Sequence, residues 1–393
     1  MKRVAVVTAT RAEYGLLSGL IRELREYENE NFRIELIVTG THLSEQYGRT
    51  IKEIETDGLR IDFQIDIPLA SGSELDISTN QAETLVRFTK LFSKEHFDSV
   101  VLLGDRYETL AIAIAAGNTR TPITHINGGD TTEGAIDEWI RHSITKIAYL
   151  HFPTNEQSKK RIVQMGENPQ RVYNYGSTGI DNIMSMAKLS KAEALDSIGL
   201  EDCRYALCTY HPVTMEIGDI NAQIEAFLAA IAHYPEIEFI VTKSNADQGG
   251  AQINQILDDA QQSMSNLHVF SSLGVKKYLS LMQYAEFVLG NSSSGIIEVP
   301  SFHIPTVNIG DRQKGRFQVR SIINCLPDKN SIVAAIGFAM THEMKECAKT
   351  VKSPYGKGDA ASKIAKKIVE VFTEEKIELK KTFYMIEENR GHR

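Results

Sequence analysis

The sequence is poor in cysteine, and its apolar runs are short. Its 393 residues include four cysteines, with no Cys-x-x-Cys pair and no regular spacing with histidine: Cys203, Cys208, Cys325 and Cys347. This pattern argues against a zinc cage and against a disulfide framework. No stretch approaches the ~20 apolar residues that span a bilayer, and the apolar run at 4–7 ends too early for a signal peptide. We therefore expect a protein of the cytoplasm.

Positive charge is also scarce. Lys and Arg number 43 against 51 Asp and Glu, so the formal net charge is −8. An acidic protein is a poor partner for nucleic acid or an anionic membrane, so any phosphate must be held locally by a few basic residues. With 42% hydrophobic and 24% charged residues, the composition is that of an ordinary globular protein. The length suggests two domains.

Short β-branched runs alternate with helical patterns along both halves of the chain. This alternation predicts an α/β fold of two Rossmann-like domains, each with a parallel sheet covered on both faces. The pattern weakens after residue 175, which gives domains at 1–175 and 176–360. An amphipathic helix at about 360–374 dominates the remaining segment, 361–393, and is a candidate to pack back on the first domain. We expect the ligand in a cleft between the domains, at the carboxyl ends of the strands.

The segment at 290–298 reads Gly-Asn-Ser-Ser-Ser-Gly-Ile-Ile-Glu and follows a buried apolar run. It predicts a strand leading into a helix N-terminus, where backbone amides and the hydroxyls of Ser292, Ser293 and Ser294 converge on a phosphate. Glu298, one turn later, is placed to accept from ribose hydroxyls, and Arg312 begins an Arg-x-Lys-Gly-Arg segment that supplies counter-charge. A diphosphate that carries a ribose satisfies all three features.

Other polar side chains stand at predicted strand ends. Arg11 follows the first strand in a turn without the Gly-x-Gly-x-x-Gly spacing, and it is either an anion ligand or a solvated surface residue. His211 ends the first strand of the second domain and is a candidate ligand contact, although a lone histidine is more often structural. His42 and Lys243 are placed similarly, with ordinary loop roles as the alternative.

Acidic residues gather at the ends of two successive strands of the first domain. The cluster comprises Asp105, Asp130, Asp137 and Glu138, with Arg141 and His142 following on the same predicted helix. Read alone, Asp105 could equally be a helix N-cap. Several carboxylates crowded into one pocket raise one another's pKa and provide acid and base forms near neutral pH. The cluster therefore predicts proton-transfer chemistry.

Together these motifs resemble those of the hydrolysing UDP-N-acetylglucosamine 2-epimerases over nearly the whole chain. The motifs are Thr-Ala-Thr-Arg-Ala-Glu-Tyr at 8–14, Gly-Asp-Arg at 104–106, Ile-Asp-Glu through Arg-His at 136–142, His-Pro at 211–212 and the run from 290 to 316. The resemblance implies the two-domain fold of B-type glycosyltransferases and a UDP-sugar substrate. It also implies a homodimer or homotetramer that uses no cofactor and no metal.

The resemblance also assigns roles to individual residues. The matched positions are Ser292, Ser293 and Arg312 for contacts to the diphosphate, Arg11 and His211 near it, Glu298 for the ribose, and Asp105 and Asp137 for catalysis. Further candidate contacts to sugar or phosphate are His42, Arg106, Asn127, Arg141, His142 and Lys243. The chain departs from the family at one loop, where many relatives carry Glu or His in place of Asn127 and Glu in place of Asp130. Since an amide cannot act as a general base, Asp130 is the candidate second carboxylate of that loop.

The implied reaction begins with departure of UDP from C1, because direct removal of the C2 proton needs more help than one general base supplies. Asp105 or Asp137 then takes the C2 proton to give 2-acetamidoglucal. Addition of water, with protonation of C2 on the opposite face, gives N-acetylmannosamine, the first step toward sialic acid. The other candidates for catalysis are Asp130, Glu138 and His211.

Three alternatives stay open on sequence alone. The same reaction on a UDP- or GDP-linked 2,4-diacetamido-6-deoxy sugar, as in legionaminic acid pathways, would use similar motifs. A glycosyltransferase with the same fold would need an acceptor in place of water. A non-catalytic nucleotide-sugar binding protein would release no UDP, and the carboxylate cluster argues against it.

Overall fold

The computed structural model describes residues 1–70, 73–132, 136–212, 220–244 and 250–386. The chain forms two compact units, Met1–Met184 with Pro354–Arg393, and Ser185–Ser353. The boundaries expected at 175 and 360 both fall inside the first unit. Backbone pairing accounts for the difference, because the Ser177 amide donates to the Tyr355 carbonyl at 2.7 Å and ties the two crossing segments together.

Each unit contains a six-stranded sheet whose strands pair in parallel. The strands of the first unit are β1 (Lys2–Thr8), β2 (Phe32–Thr39), β3 (Phe63–Ile65), β4 (Ser99–Leu103), β5 (Ile123–Ile126) and β6 (Leu150–Phe152). Those of the second unit are β7 (Tyr205–Thr209), β8 (Glu238–Thr242), β9 (Leu267–Phe270), β10 (Val288–Gly290), β11 (Thr306–Ile309) and β12 (Ile322–Cys325). The spatial orders are β3-β2-β1-β4-β5-β6 and β12-β11-β10-β7-β8-β9.

Helices follow most strands. The α-helices of the described residues are α1 (Arg11–Glu26), α2 (Ile51–Thr56), α3 (Glu74–Glu95), α4 (Tyr107–Asn118), α5 (Ile136–Ile147), α6 (Glu156–Gln164), α7 (Thr178–Ser185), α8 (Lys191–Asp196), α9 (Ile220–Ile231), α10 (Gly250–Gln261), α11 (Gly274–Met282), α12 (Ser294–Ile297), α13 (Lys329–Ala339), α14 (His342–Thr350) and α15 (Ala360–Glu374). Short 3₁₀ helices lie at Gly40–Leu43, Glu45–Tyr47, Pro169–Arg171 and Val299–Phe302. None of the helices in the described ranges is long and apolar enough to cross a membrane.

Strand β1 illustrates why the first sheet is covered on both faces. Val4 and Val6 lie in one buried apolar cluster with residues of α1 and α15, whereas Ala5 and Val7 lie in another with residues of α3 and α4. Successive side chains of a strand face opposite sides of the sheet, so a strand buried on both sides is apolar throughout. A further cluster surrounds the second sheet. The prediction of an α/β fold with two Rossmann-like domains is confirmed.

Helix α15 packs beside α1 within the first unit. Ile364 of α15 and Leu17 of α1 lie in the same buried cluster. The carboxylate of Asp181, on α7, accepts a hydrogen bond from the Ala360 amide at 3.0 Å and another from the next amide. These bonds satisfy amides that the start of a helix leaves without intrahelical partners. The C-terminal helix is therefore an integral part of the first unit.

Candidate functional site

The first sheet changes winding direction between β1 and β4, which are neighbours in space but not in sequence. Ligands of doubly wound sheets bind beyond the carboxyl ends of the strands at such a point. Beyond this edge lie Arg11 at the start of α1, Asp105 and Arg106 in the loop after β4, and Asn127 and Asp130 in the loop after β5. The topology thus brings the predicted residues of the first domain to one edge.

The guanidinium of Arg141, on α5, joins the loops after β4 and β5. The residue is 4% exposed. Its Nε donates to Oδ2 of Asp105 at 2.8 Å, and its Nη2 donates to the same oxygen. Nη1 donates to the Asp130 carbonyl at 2.9 Å and Nη2 to the Thr132 hydroxyl at 3.2 Å. A buried cation paired in this way fixes its partners, because losing one of them would leave an uncompensated charge.

Asp137 lies in the first turn of α5. The residue is exposed, but neighbouring protein atoms partly desolvate its carboxyl group, and this desolvation raises its pKa. The negative charge of Asp105 raises that pKa further, and Arg141 offsets part of the shift. A carboxyl whose pKa is raised takes up a proton more readily than an ordinary aspartate, which suits Asp137 to the role of proton donor.

Glu138 departs from the expectation that the clustered carboxyls raise one another's pKa. Burial alone would raise its pKa, but hydrogen bonds from the Thr132 amide and the Thr131 hydroxyl outweigh burial, so the pKa is lowered. Its Oε1 accepts from the Thr131 hydroxyl at 2.8 Å and lies 3.2 Å from Nε2 of His142. Glu138 and His142 therefore brace the loop after β5.

Asn127 and Asp130 occupy the same loop with different surroundings. Asn127 has a φ of 62°, and its backbone N–H donates to the Phe152 carbonyl at 2.9 Å. Asparagine tolerates this left-handed conformation better than most residues, which gives Asn127 a backbone role. A carboxylate oxygen of Asp130 accepts from the Ser158 hydroxyl at 3.4 Å.

Sequence reasoning missed His125, which is fully buried on β5. Its Nε2 lies 2.9 Å from the carbonyl oxygen of Gly104, and its Nδ1 lies 3.1 Å from the Thr145 hydroxyl. A carbonyl can only accept, so Nε2 carries the proton and Nδ1 accepts from the hydroxyl. Burial lowers the pKa of His125 to about 3, which keeps the ring neutral. This histidine holds the backbone of Gly104, the residue before Asp105. In the sequence, the only indication of this role is a polar side chain within an apolar strand.

The basic side chains after β1 and β4 are more exposed. The side chain of Arg11 is 71% exposed, and its Nε lies 3.1 Å from Oε1 of Glu53. An exposed ion pair contributes little to stability, so Arg11 can exchange Glu53 for an anionic ligand. Arg106 is ion-paired with the buried Glu108.

His42 is held from both sides. Its Nε2 lies 3.0 Å from the Thr8 hydroxyl and its Nδ1 lies 2.8 Å from the Thr50 hydroxyl. Burial lowers its pKa to about 4, so the ring is neutral. Both ring nitrogens are occupied in this arrangement, which gives His42 a bracing role beside the turn after β1.

Glu13, on α1, is buried at the same edge of the sheet. Its Oε2 accepts from the amides of Ala9 and Thr10, at 2.7 and 3.2 Å, as part of a capping box that starts α1. Its Oε1 and the Oε2 of Glu108 are buried atoms without a hydrogen-bond partner among the described residues. Burial raises the pKa of Glu13 to about 7, with a further contribution from the Glu108 charge.

In the second unit, the serine segment begins at Gly290, the last residue of β10. Gly290 has a φ of 138°, and a Cβ at this position would overlap the Thr209 carbonyl oxygen, so the position requires glycine. The helix that follows is only four residues long, Ser294–Ile297. So short a helix has little macrodipole, which weakens the expected helix contribution to phosphate binding. The Ser294 hydroxyl donates to Oε2 of Glu298 at 2.6 Å. Burial raises the pKa of Glu298, and this hydrogen bond lowers it in part.

Asn291 connects the predicted residues of the second unit, and sequence reasoning missed it. Its side chain accepts from the His211 amide at 2.7 Å and donates to the His211 carbonyl at 2.8 Å. Its own carbonyl accepts from Nη1 of Arg312 at 3.1 Å and from Nε2 of Gln313 at 2.9 Å. Nδ1 of His211 lies 3.2 Å from the Ser244 hydroxyl oxygen. The side chain and the backbone carbonyl of this one buried residue thus join the segments that follow β7, β10 and β11.

Lys243 is placed apart from these contacts. Its ammonium donates to a carboxylate oxygen of Asp258 at 2.6 Å. The residues after it, 245–249, and those after the His-Pro pair, 213–219, lie outside the described residues. Among the described residues, no group of three or more His, Cys, Asp or Glu side chains has an arrangement that could hold a metal ion.

Comparison with known proteins gives a family and several relatives. A family model described as UDP-N-acetylglucosamine 2-epimerase matches residues 24–369. The polysialic acid biosynthesis protein P7 of Escherichia coli is 37% identical over 389 residues, which cover 99% of this chain and 98% of that protein. The hydrolysing GDP/UDP-N,N'-diacetylbacillosamine 2-epimerase of Campylobacter jejuni is 39% identical over 325 residues, covering 82% of this chain and 84% of that protein.

A solved structure supports the fold. The UDP-GlcNAc 2-epimerase of Neisseria meningitidis, crystallised with UDP-GlcNAc, matches with a TM-score of 0.71 at 18% identity. The match covers 94% of this chain and all of that one. The chain therefore has the two-domain fold, like that of B-type glycosyltransferases, that the family resemblance implied.

The environment of Glu13 generates a prediction about stability. Its pKa is raised from 4.5 to about 7, so the folded protein binds more protons than the unfolded chain between these values. The neutral carboxyl therefore stabilises the fold at low pH, and this contribution is lost as pH rises through that window. Glu13→Gln cannot titrate, so its free energy of unfolding should fall less than that of the wild type between pH 4.5 and 7.

Urea unfolding at several pH values measures this difference. It amounts to at most about 3 kcal/mol, since one pKa unit corresponds to roughly 1.4 kcal/mol. Glu26→Gln, an exposed residue of the same helix, is the control and should follow the wild type. Identical pH dependence in Glu13→Gln and the wild type would show that Glu13 does not titrate in this window.

Proposed function

Because the chain belongs to the UDP-N-acetylglucosamine 2-epimerase family, we propose that it is the hydrolysing enzyme that converts UDP-N-acetylglucosamine and water to N-acetylmannosamine and UDP. N-acetylmannosamine is the precursor of sialic acid, and the Escherichia coli relative is described as a polysialic acid biosynthesis protein. The observation that carries the proposal is the pairing of Asp105 with the buried Arg141, next to Asp137 with its raised pKa.

The first half of the proposed reaction is an elimination. UDP leaves C1 with the electron pair of the C1–O bond, and positive charge develops at C1. The Asp105 carboxylate, which Arg141 contacts only through Oδ2, takes the C2 proton through Oδ1. The electrons of the C2–H bond form the C1–C2 double bond of 2-acetamidoglucal.

The second half is a hydration. Asp137, whose raised pKa makes its protonated form more accessible than that of an ordinary aspartate, gives its proton to C2 from the opposite face. Water attacks C1 and passes a proton back to Asp137, while Asp105 returns its proton to the solvent. These steps release N-acetylmannosamine and the proton that accompanies hydrolysis of the sugar–phosphate bond.

We assign UDP binding to the second unit. Ser292, Ser293 and Arg312 would contact the diphosphate, and the bonds around Asn291 support this because they hold Arg312 and His211 against the start of the serine segment. The Ser294 hydroxyl is already committed to Glu298, so its proposed role is to orient that carboxylate toward the ribose. Arg11, whose ion pair with Glu53 is exposed, is a further proposed contact to phosphate oxygens of the nucleotide sugar.

A second candidate substrate follows from one relative. The Campylobacter jejuni protein at 39% identity is described as acting on a GDP- or UDP-linked diacetylbacillosamine, which bears a second acetamido group. The proposed chemistry at C1 and C2 is the same for both sugars. Parallel incubation with UDP-N-acetylglucosamine and with UDP- and GDP-linked diacetyl sugars decides between them, and release of free sugar with water alone excludes a glycosyltransferase.

Proton transfer at C2 can be tested directly. In D2O the product should carry deuterium at C2, because Asp137 exchanges its proton with solvent. Asp105→Asn should lower turnover about 10²- to 10⁴-fold, the usual contribution of a general base, while UDP binding is retained. Proton NMR of the product and calorimetry with UDP measure these outcomes.

The matched control is Asp66→Asn, which changes an aspartate whose side chain is 83% exposed and should leave turnover unchanged. A product without deuterium at C2 would contradict the elimination. An Asp105→Asn variant with normal turnover would remove Asp105 from the role of base.

The serine segment generates a separate prediction about affinity. Ser293→Ala should weaken UDP binding by about tenfold, the effect of losing a hydrogen bond to a charged group, without abolishing C2 exchange at saturating substrate. Calorimetric titration with UDP measures the affinity, and Ser263→Ala, an exposed serine of the same unit, is the control. Unchanged affinity in Ser293→Ala would exclude this hydroxyl as a phosphate ligand.

A further inference from the structure

Helix α5, which carries Asp137 and Arg141, is covered at its C-terminal end by the chain that follows α15. Residues 375–386, here the C-terminal strap, run without helix or strand to the end of the described residues. The strap contacts the backbone just after α5 and just after α6. The last carbonyls of a helix lack intrahelical partners, so the end of α5 offers acceptors to such a segment.

The ammonium of Lys381 has three acceptors: two backbone carbonyls at the end of α5 and the carboxylate of Glu167. Its Nζ donates to the carbonyl oxygens of Lys146 and Ala148, both at 2.8 Å, and to Oε2 of Glu167 at 2.7 Å. The C-terminal end of a helix carries partial negative charge, so a cation at this position is favourable. Lys381 thus acts as a charged cap for α5, although it comes from a segment 233 residues further along the chain than Ala148.

Glu167 holds this cation in place. The residue is 3% exposed, and its Oε1 accepts from Nζ of Lys146 at 2.6 Å. Burial alone would raise the pKa of Glu167, but hydrogen bonds from His151, Lys146 and Lys381 outweigh burial and lower the pKa to about 2. The carboxylate is therefore charged at neutral pH and binds lysines from both α5 and the strap.

A second contact holds the strap three residues further on, at Tyr384. The Tyr384 amide donates to the Gly166 carbonyl at 2.9 Å. Gly166 has a φ of 88°, and a Cβ at this position would overlap the ring of Phe383, so the close approach requires glycine. Nζ of Lys146 lies 5.1 Å from the centroid of the same ring, within the range of a cation–π contact. The strap is therefore held against the ends of α5 and α6 by backbone, aromatic and charged contacts.

We propose that Lys381 is a positioning residue: by capping α5 it holds Asp137 and Arg141 in the arrangement that Asp105 requires. Arg141 and Asp137 lie on the single helix whose last carbonyls Lys381 binds, so a shift of that helix moves both side chains relative to the loop after β4. The effect on turnover rests on the proposed function, whereas the effect on α5 does not. Lys381 itself touches no residue of the proposed reaction.

The test compares three variants of the full-length protein. Lys381→Met removes the charge and all three donors but keeps most of the volume of the side chain. Its kcat should fall roughly 10- to 100-fold, the effect expected when reacting groups are misplaced by about 1 Å, while KM changes little. Lys381→Arg should restore much of kcat, because a guanidinium can serve the same acceptors. Lys380→Met changes the neighbouring exposed lysine and should behave as the wild type.

A spectroscopic readout tests the cap without any substrate. Trp139 is the only tryptophan of the sequence and lies on α5 between Asp137 and Arg141, with 54% of its surface exposed. In Lys381→Met the time-resolved fluorescence anisotropy of Trp139 should gain a fast component, because the helix is held less firmly. Lys380→Met and Lys381→Arg should lack this component.

The outcomes separate the two proposals. Turnover by the wild type together with unchanged kcat in Lys381→Met would overturn the positioning role, and so would unchanged anisotropy of Trp139. No turnover by the wild type would contradict the proposed function, and the anisotropy would then decide on the cap alone. If Lys381→Met does not fold, Glu167→Gln replaces it, because it removes the buried charge that holds Lys381 and should produce the same changes.

Discussion

The ion pair between Asp105 and the buried guanidinium of Arg141 is the constraint on which the candidate site of the first unit depends. It connects the loop after β4 with helix α5, and through the Asp130 carbonyl it also holds the loop after β5. A charge pair of this kind is costly to bury and costly to break, so both loops are kept in one arrangement. The result is one carboxylate held by a cation beside another, Asp137, whose pKa is raised.

The fold supports this pair from several directions. His125 fixes the carbonyl of Gly104, the residue before Asp105, and Glu138 ties the start of α5 to the loop after β5. Lys381 binds the other end of the same helix. Reacting groups must be held within a fraction of an ångström, and side chains that rest on well-anchored helices and strands achieve this better than loops alone. In the second unit an uncharged residue has the corresponding role, because buried Asn291 binds His211 through its side chain and Arg312 through its backbone carbonyl.

The sequence predicts much of this arrangement for physical reasons. Alternating apolar runs give parallel sheets, and the carboxyl ends of adjacent strands meet, so Asp105 and Asp130 are expected at one edge without any knowledge of contacts. The hydrogen bond between Arg141 and Asp105 joins positions 36 residues apart. Such a long-range contact depends on how the loops fold, so a short sequence motif does not predict it. Asn291 was missed for the same reason. The helix after the serine segment is shorter than its pattern suggests, because residues 299–302 continue as a 3₁₀ turn.

In the proposed reaction, Asp105 and Asp137 carry out an elimination followed by a hydration. The most direct test is to supply the purified protein with 2-acetamidoglucal and UDP, which bypasses the elimination and leaves only the hydration. We predict that the wild type converts the glucal to N-acetylmannosamine, with a solvent proton added at C2. Failure to consume the glucal, by a preparation that turns over the nucleotide sugar and releases UDP, would contradict the account.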